Sequence, residues 1–171
     1  MIINLAHGAS GNAASMQPYV DGLRERGLEG RAISVPTGKP ERAVAAYRSQ
    51  VPNIAGDIIG GHSYGGRMAS ILAADEQPAG LVLLSYPLHR PGHPEWETRI
   101  PHWPGIGCPV LLLSGESDPF ARLDLLREAV KRLREAELVT YPHVGHGLAP
   151  VLDDALDRIA RFARSLIAAD S

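Results

Sequence analysis

Residues 60 to 66 read GGHSYGG, and within them Gly61-His62-Ser63-Tyr64-Gly65 fits the pattern G-x-S-x-G, in which a serine hydroxyl is lifted off a tight strand-to-helix turn. A serine hydroxyl is a weak nucleophile until a histidine takes its proton and a carboxylate orients that histidine. Two later stretches carry those residue types in the required order: Gly115-Glu116-Ser117-Asp118-Pro119 and His143-Val144-Gly145-His146-Gly147. A serine, an acid and a histidine on three successive loops are suited to acyl transfer through a covalent acyl-serine. A plainer reading makes Ser63 incidental to a glycine-rich turn. A phosphate cradle is poorly supported, since no Walker lysine follows and the glycines do not match G-x-G-x-x-G.

The acid and the base each involve a choice. Asp118 is preferred to Glu116, because Glu116 lies nearer the end of the preceding apolar run while Asp118-Pro119 leads into the next helix. His146, between two glycines, is preferred to His143, which follows Pro142 directly. Singly, Asp118 reads equally well as a helix cap and His146 as a polar turn residue. An oxyanion needs two N–H donors, and the loop LAHGASGN together with the first turn after Ser63 offers those of Ala9 and Tyr64. His7 in that loop reads as a hydrogen-bonding strut beside the pocket before it reads as a second base. The Tyr64 ring either covers the serine or packs on the sheet edge, and Arg67 is either a solvent-facing residue or a loop anchor.

The elements that must hold these residues follow from short apolar runs at IINLA, GRAISV, GDIIGG, GLVLLS, CPVLLLS and ELVTYP. Several are continuous rather than alternating, as expected of strands buried on both faces. Between them lie helical spacings: Val20 and Leu23 after Met16; Val44 and Tyr47 after Pro40; Met68, Ile71 and Leu72 after the glycine cluster. Leu125, Leu126, Ala129, Val130 and Leu133 define a fourth face, and Leu152, Ala155, Leu156, Ile159, Phe162, Ala163, Leu166 and Ile167 a fifth. Six strands alternating with helices imply an α/β protein with a mostly parallel sheet covered on both sides. From Tyr86 to Pro109, six prolines and both tryptophans exclude an amphipathic helix, so a long ordered loop with one short helical turn is expected. Leaving the strand that follows the serine's helix, it is expected to wall a substrate pocket with Tyr86, Leu88, Trp96 and Trp103.

The 171 residues are enough for one substantial core, and one domain over 1–171 is expected. With 17 basic against 19 acidic residues and no basic cluster, nothing recruits nucleic acid or an anionic membrane. No apolar run approaches the roughly 20 residues that span a bilayer, and the start lacks a basic leader. The single cysteine, Cys108, is read as structural, and a reducing, cytoplasmic location is the plain expectation. His89, His93 and His102 lie in the long loop, where proline between and after them argues against one ligand-bearing helix face. No metal or other cofactor is expected.

The motifs HGASG, GHSYGGR, LLSYPLHRPGHPE and GESDPF followed by GHG, distributed from about residue 6 to 147, resemble the alpha/beta-hydrolase superfamily. Within it they are most similar to short dienelactone-hydrolase-like proteins of the testis-expressed and NSL-complex hydrolase-like subgroup. The resemblance implies a three-layer sandwich without a cap domain, six strands ordered 2-1-3-4-5-6, and absence of the family's first two strands. It also implies Ser63 as nucleophile, Asp118 as acid, His146 as base, and Ala9 and Tyr64 as oxyanion donors. The function expected is a serine hydrolase acting on a small or exposed carboxylic ester or thioester. The alternative is a non-catalytic interaction module on the same frame, since some members of the subgroup are scaffold-like components.

Overall fold

The computed structural model describes residues 1–169. The strands are β1 (Ile3–Ala6), β2 (Gly30–Ile33), β3 (Ile58–His62), β4 (Gly80–Leu84), β5 (Val110–Gly115) and β6 (Ala136–Tyr141). All pair in parallel in one sheet ordered β2-β1-β3-β4-β5-β6, as the resemblance implies. The helices are α1 (Gln17–Glu25), α2 (Pro40–Gln50), α3 (Tyr64–Glu76), α4 (Leu123–Val130) and α5 (Leu152–Ala169). Pro40 opens α2, where the missing N–H would have had no partner inside the helix.

Continuous apolar runs become strands here because both sheet faces are covered. Along β4, Leu81 and Leu83 enter the cluster formed with α2, α3 and α4, while Val82 and Leu84 enter the one formed with α1 and α5. Along β5, Val110 and Leu112 share the first cluster, and Leu111 and Leu113 the second. The result is a three-layer α/β/α sandwich with no cap domain. Strand order reverses between β1 and β3, which opens the crevice at their carboxyl ends where ligands bind in open sheets.

Two helical faces differ in detail from their spacing. α4 ends at Val130, so Leu133 is buried from the turn beyond it. Ile167, placed by its spacing on the buried stripe of α5, is 43% exposed.

The segment from Tyr86 to Pro109 is an ordered loop with two short 3-10 turns, Glu97–Arg99 and Trp103–Gly105, where one was expected. Tyr86, Leu88, Trp96, Ile100, Trp103 and Ile106 are all buried in the α2–α4 cluster. The Tyr86 and Trp103 rings meet edge to face at 5.0 Å, Tyr86 Oη donates to the Arg99 carbonyl at 2.9 Å, and His102 Nε2 lies 2.7 Å from Ser70 Oγ on α3. Gln77, the C-cap of α3, adopts φ 47°. Its side chain donates to the Gly105 carbonyl at 2.9 Å and accepts the Gly107 N–H at 2.8 Å, which holds a conformation disfavoured for a residue with a Cβ.

Tyr47 stabilises the sheet beneath the GGHSYGG turn. Its buried hydroxyl accepts the Gly60 N–H at 2.9 Å and lies 2.8 Å from the carbonyls of both Asn4 and Gly60, to one of which it donates. Burial pushes its acidity far below that of an exposed phenol. Among the described residues, no helix is long and apolar enough to cross a membrane.

Candidate active site

β3 ends at His62 and α3 begins at Tyr64, so Ser63 alone makes the turn between them, at φ 50° and ψ −118°. A non-glycine residue held there stores about 1–3 kcal/mol of strain, which the surrounding packing must offset. The flanking glycines explain how the turn fits. A Cβ on Gly61 would stand 2.4 Å from the Ala6 carbonyl oxygen, and one on Gly65 2.5 Å from the carbonyl oxygens of Ala6 and His7. The backbones of β1 and α3 therefore touch where any side chain would separate them. The Ser63 N–H donates to the Leu84 carbonyl at 2.8 Å, which ties the turn to the end of β4.

Ser63 Oγ lies 2.8 Å from His146 Nε2, and His146 Nδ1 lies 2.8 Å from Asp118 Oδ2. A carboxylate accepts, so the proton sits on Nδ1 and the lone pair of Nε2 faces the serine hydroxyl. The Asp118 side chain is fully buried and that of His146 is 26% exposed. Asp118 Oδ1 accepts the Phe120 N–H at 2.8 Å, so each carboxylate oxygen has its own donor. Glu116 points elsewhere and accepts from the Thr140 hydroxyl at 2.9 Å. His143 is exposed, at φ 62° in the turn after β6.

The base and acid loops are fastened to each other. The Glu116 N–H donates to the Tyr141 carbonyl and the Ser117 N–H to that of Val144, both at 2.9 Å. A Cβ on Gly115 would come within 2.3 Å of the carbonyl oxygens of Val144 and Gly145, so β5 must end in glycine for this contact. Two neighbours of His146, His62 and Phe120, lie within the motifs but have no role assigned by them. His62 Nε2–H donates to the His146 carbonyl at 3.0 Å, and burial, the largest influence on its ring, disfavours protonation. The Phe120 ring packs on the imidazole with centroids 4.5 Å apart.

Beside Ser63 lies the loop after β1. A Cβ on Gly8 would be 3.6 Å from Ser63 Cβ, so the segment carrying Ala9 runs against the serine. Tyr64 N–H is one of the N-terminal amides that a helix leaves without an internal partner. The Tyr64 hydroxyl donates to the Pro36 carbonyl at 3.3 Å, and its partly buried side chain packs against the cluster formed with α2, α3 and α4. His7 is 4% exposed; its Nδ1–H donates to the Gly8 carbonyl at 2.7 Å and its Nε2 accepts the Val35 N–H at 3.2 Å. Both nitrogens are used in bracing the loop, which leaves none for a substrate.

A cavity of about 280 Å³ opens from Gly8 and His62 between the β1 loop and the segment after His146, walled mainly by Met16, Tyr19, Leu148 and Leu152. Tyr86, Leu88, Trp96 and Trp103, the side chains expected to wall a pocket, are not among its walls. They fill the core beneath the loop instead, because that loop folds down over α3 and α4. His89, His93 and His102 do not converge either: His89 accepts the Arg122 N–H, His102 meets Ser70, and His93 is exposed. Cys108 is a free, buried thiol whose pKa burial raises to about 11.

Two solved structures show how widely this frame is shared. Est1E from Butyrivibrio proteoclasticus, solved with ferulic acid bound, superposes with a TM-score of 0.79 at 18% identity over 98% of this chain and 89% of its own. The monoacylglycerol lipase of Paleococcus ferrophilus superposes with a TM-score of 0.83 at 15% identity, over 96% of this chain and 94% of its own. At such identities the likeness is one of fold. Family membership rests on the sequence itself, in which residues 1–166 match the model of the alpha/beta hydrolase domain: the chain belongs to the alpha/beta-hydrolase family.

Proposed function

We propose that the protein is a serine hydrolase that cleaves small or exposed carboxylic esters or thioesters through an acyl-enzyme. The observation that carries this reading is the unbroken hydrogen-bond chain from Ser63 Oγ through His146 to the buried Asp118 carboxylate, 2.8 Å at each link. Ser63 Oγ attacks the carbonyl carbon as its proton passes to His146 Nε2, and the carbonyl electron pair moves onto oxygen. The N–H groups of Ala9 and Tyr64 receive that oxyanion. Asp118 faces the imidazolium so formed and holds its Nδ1 proton in place. Collapse of the tetrahedral intermediate breaks the bond to the alcohol or thiol, which leaves with the proton from Nε2. Water then attacks the acyl-serine as His146 takes its proton, and the second tetrahedral intermediate collapses to the carboxylic acid as His146 Nε2 returns that proton to Ser63 Oγ.

The cavity that opens at Gly8 and His62, next to Ser63 in the turn, is taken to receive one apolar portion of the ester. At about 280 Å³ it lies at the small end of ligand pockets, which suits a small apolar group. Residues 1–171 are taken as a single hydrolase domain, and GHSYGGR with LLSYPLHRPGHPE supports its placement among the dienelactone-hydrolase-like proteins. The lone buried thiol of Cys108 supports a cytoplasmic setting.

Hydrolysis of p-nitrophenyl butyrate by the parent, Ser63→Ala and His146→Gln proteins tests the reading. Turnover is expected in the parent, with kcat lower by at least about 10³-fold in either variant. Parent-like turnover in folded Ser63→Ala would exclude this mechanism.

A further inference from the structure

The stretch LHRPG in the loop after β4 contains a histidine that the hydrolytic steps do not use. His89 is 2% exposed, and its backbone N–H and both ring nitrogens are engaged. Its backbone N–H donates to the Phe120 carbonyl at 3.0 Å. Its ring Nδ1 lies 2.8 Å from the Arg90 carbonyl, and its Nε2 accepts the Arg122 N–H at 3.0 Å. A carbonyl accepts and a backbone amide donates, so the proton is on Nδ1 and the ring is neutral in a single tautomer.

These contacts grip the acid turn at the Phe120 carbonyl and the Arg122 N–H, on either side of Ala121. The Phe120 N–H fixes Asp118 Oδ1 at 2.8 Å, and the Phe120 ring packs on His146 at 4.5 Å between centroids. The first half of the turn is tied to the end of β6 and the loop after it through the Glu116 and Ser117 N–H groups, while beyond Asp118 the bond from the Ala121 N–H to the Asp118 carbonyl at 3.2 Å is internal to the turn, which leaves the second half to be held from outside by His89. We infer that His89 is a positioning residue that sets the orientation of Asp118 and His146 by clamping residues 120 and 122 from outside. It touches neither the substrate nor the reacting atoms. The inference rests on the hydrolase reading above.

Replacement by glutamine and by leucine separates this role from plain packing. In His89→Gln the side-chain oxygen can still accept the Arg122 N–H, whereas in His89→Leu that part-buried amide loses its side-chain acceptor while apolar volume is kept. Trp96→Leu, in the same loop but within the core, serves as the packing control. With p-nitrophenyl butyrate, His89→Leu is expected to lose about 10- to 100-fold in kcat with little change in KM. His89→Gln should recover most of that loss, and Trp96→Leu should lower thermal stability while kcat stays within about threefold of the parent. The downfield proton resonance expected of His146 Nδ1–H bonded to Asp118 should weaken in His89→Leu and persist in His89→Gln. Parent-like kcat in folded His89→Leu, an equal loss in His89→Gln, or the same kcat loss in Trp96→Leu would overturn the proposal. Activity that survives Ser63→Ala would instead overturn the hydrolase reading on which it depends.

Discussion

Replacing Asp118 by asparagine changes one atom in a place where the structure leaves no freedom to accommodate it. The carboxylate is fully buried, with Oδ1 accepting from the Phe120 N–H and Oδ2 from His146 Nδ1–H. Asparagine has one acceptor and one donor for these two donors. If its oxygen keeps Phe120, its NH₂ faces Nδ1, and the ring proton must move to Nε2, where it blocks transfer from Ser63. If the amide flips, two donors oppose each other at Phe120. Either outcome removes the base from most molecules, and the expected loss is about 10⁴-fold in kcat, or about 5.5 kcal/mol of transition-state stabilisation. Glu116→Gln is the matched control, because the glutamine oxygen can still accept from the Thr140 hydroxyl. It should leave kcat within about threefold of the parent and cost less than about 1 kcal/mol of stability. Steady-state kinetics on a p-nitrophenyl ester, with circular dichroism to verify folding, reads both. Near-parent turnover in Asp118→Asn together with collapse in Glu116→Gln would refute the assignment of the acid.

Tyr47→Phe removes the buried hydroxyl that accepts the Gly60 N–H and lies 2.8 Å from the Asn4 and Gly60 carbonyls, and should cost about 0.5–1.5 kcal/mol in urea unfolding; an unchanged urea midpoint would show that the strand ladder alone satisfies these groups. Burial, and after it the nearby Arg67 charge, lowers the His102 pKa from 6.5 to about 4. The folded protein therefore binds this proton less readily than the unfolded chain, and stability present above pH 6.5 is lost as pH falls from 6.5 towards 4. Discounted for partial exposure, this contribution is about 1–2 kcal/mol, and the urea midpoint of His102→Gln should depend less on pH across that window than the parent's. Leu152→Trp, on the wall of the cavity that opens at Gly8 and His62, should lower kcat/KM for p-nitrophenyl octanoate relative to the acetate by about 10- to 100-fold. An unchanged ratio would place the apolar group of the ester outside that cavity.

The sheet could be read from the chain because its strands are buried on both faces, so that runs such as GLVLLS and PVLLLS stand out without any alternation. The spacing of Ser63, Asp118 and His146 was legible for a related reason: in a parallel sheet every strand delivers its following loop to the same edge. Direction within a loop was not legible. Trp96 and Trp103 are apolar whether they line a cleft or fill a core, and only the path of residues 86–109 over α3 and α4 decides between the two. The cavity that opens at Gly8 and His62 escaped notice because its apolar walls, Met16, Tyr19, Leu148 and Leu152, come from the start of α1 and from the residues leading into α5, which carry no motif. Gln77 gave no sign of its left-handed conformation, since its anchors, Gly105 and Gly107, are far along the chain. His89 and His62 were visible as residue types, but their roles depend on backbone groups they meet only after folding.

The central claim, that Ser63 is an activated nucleophile, is tested most directly by covalent labelling with a serine-directed fluorophosphonate followed by intact-mass and peptide mass spectrometry. One adduct per chain, located on Ser63, is expected for the parent, and none for folded Ser63→Ala. Labelling should be greatly slowed in His146→Gln, which keeps the serine but lacks the base. An adduct on a different residue, or no adduct on the parent across small and large phosphonates, would contradict the claim.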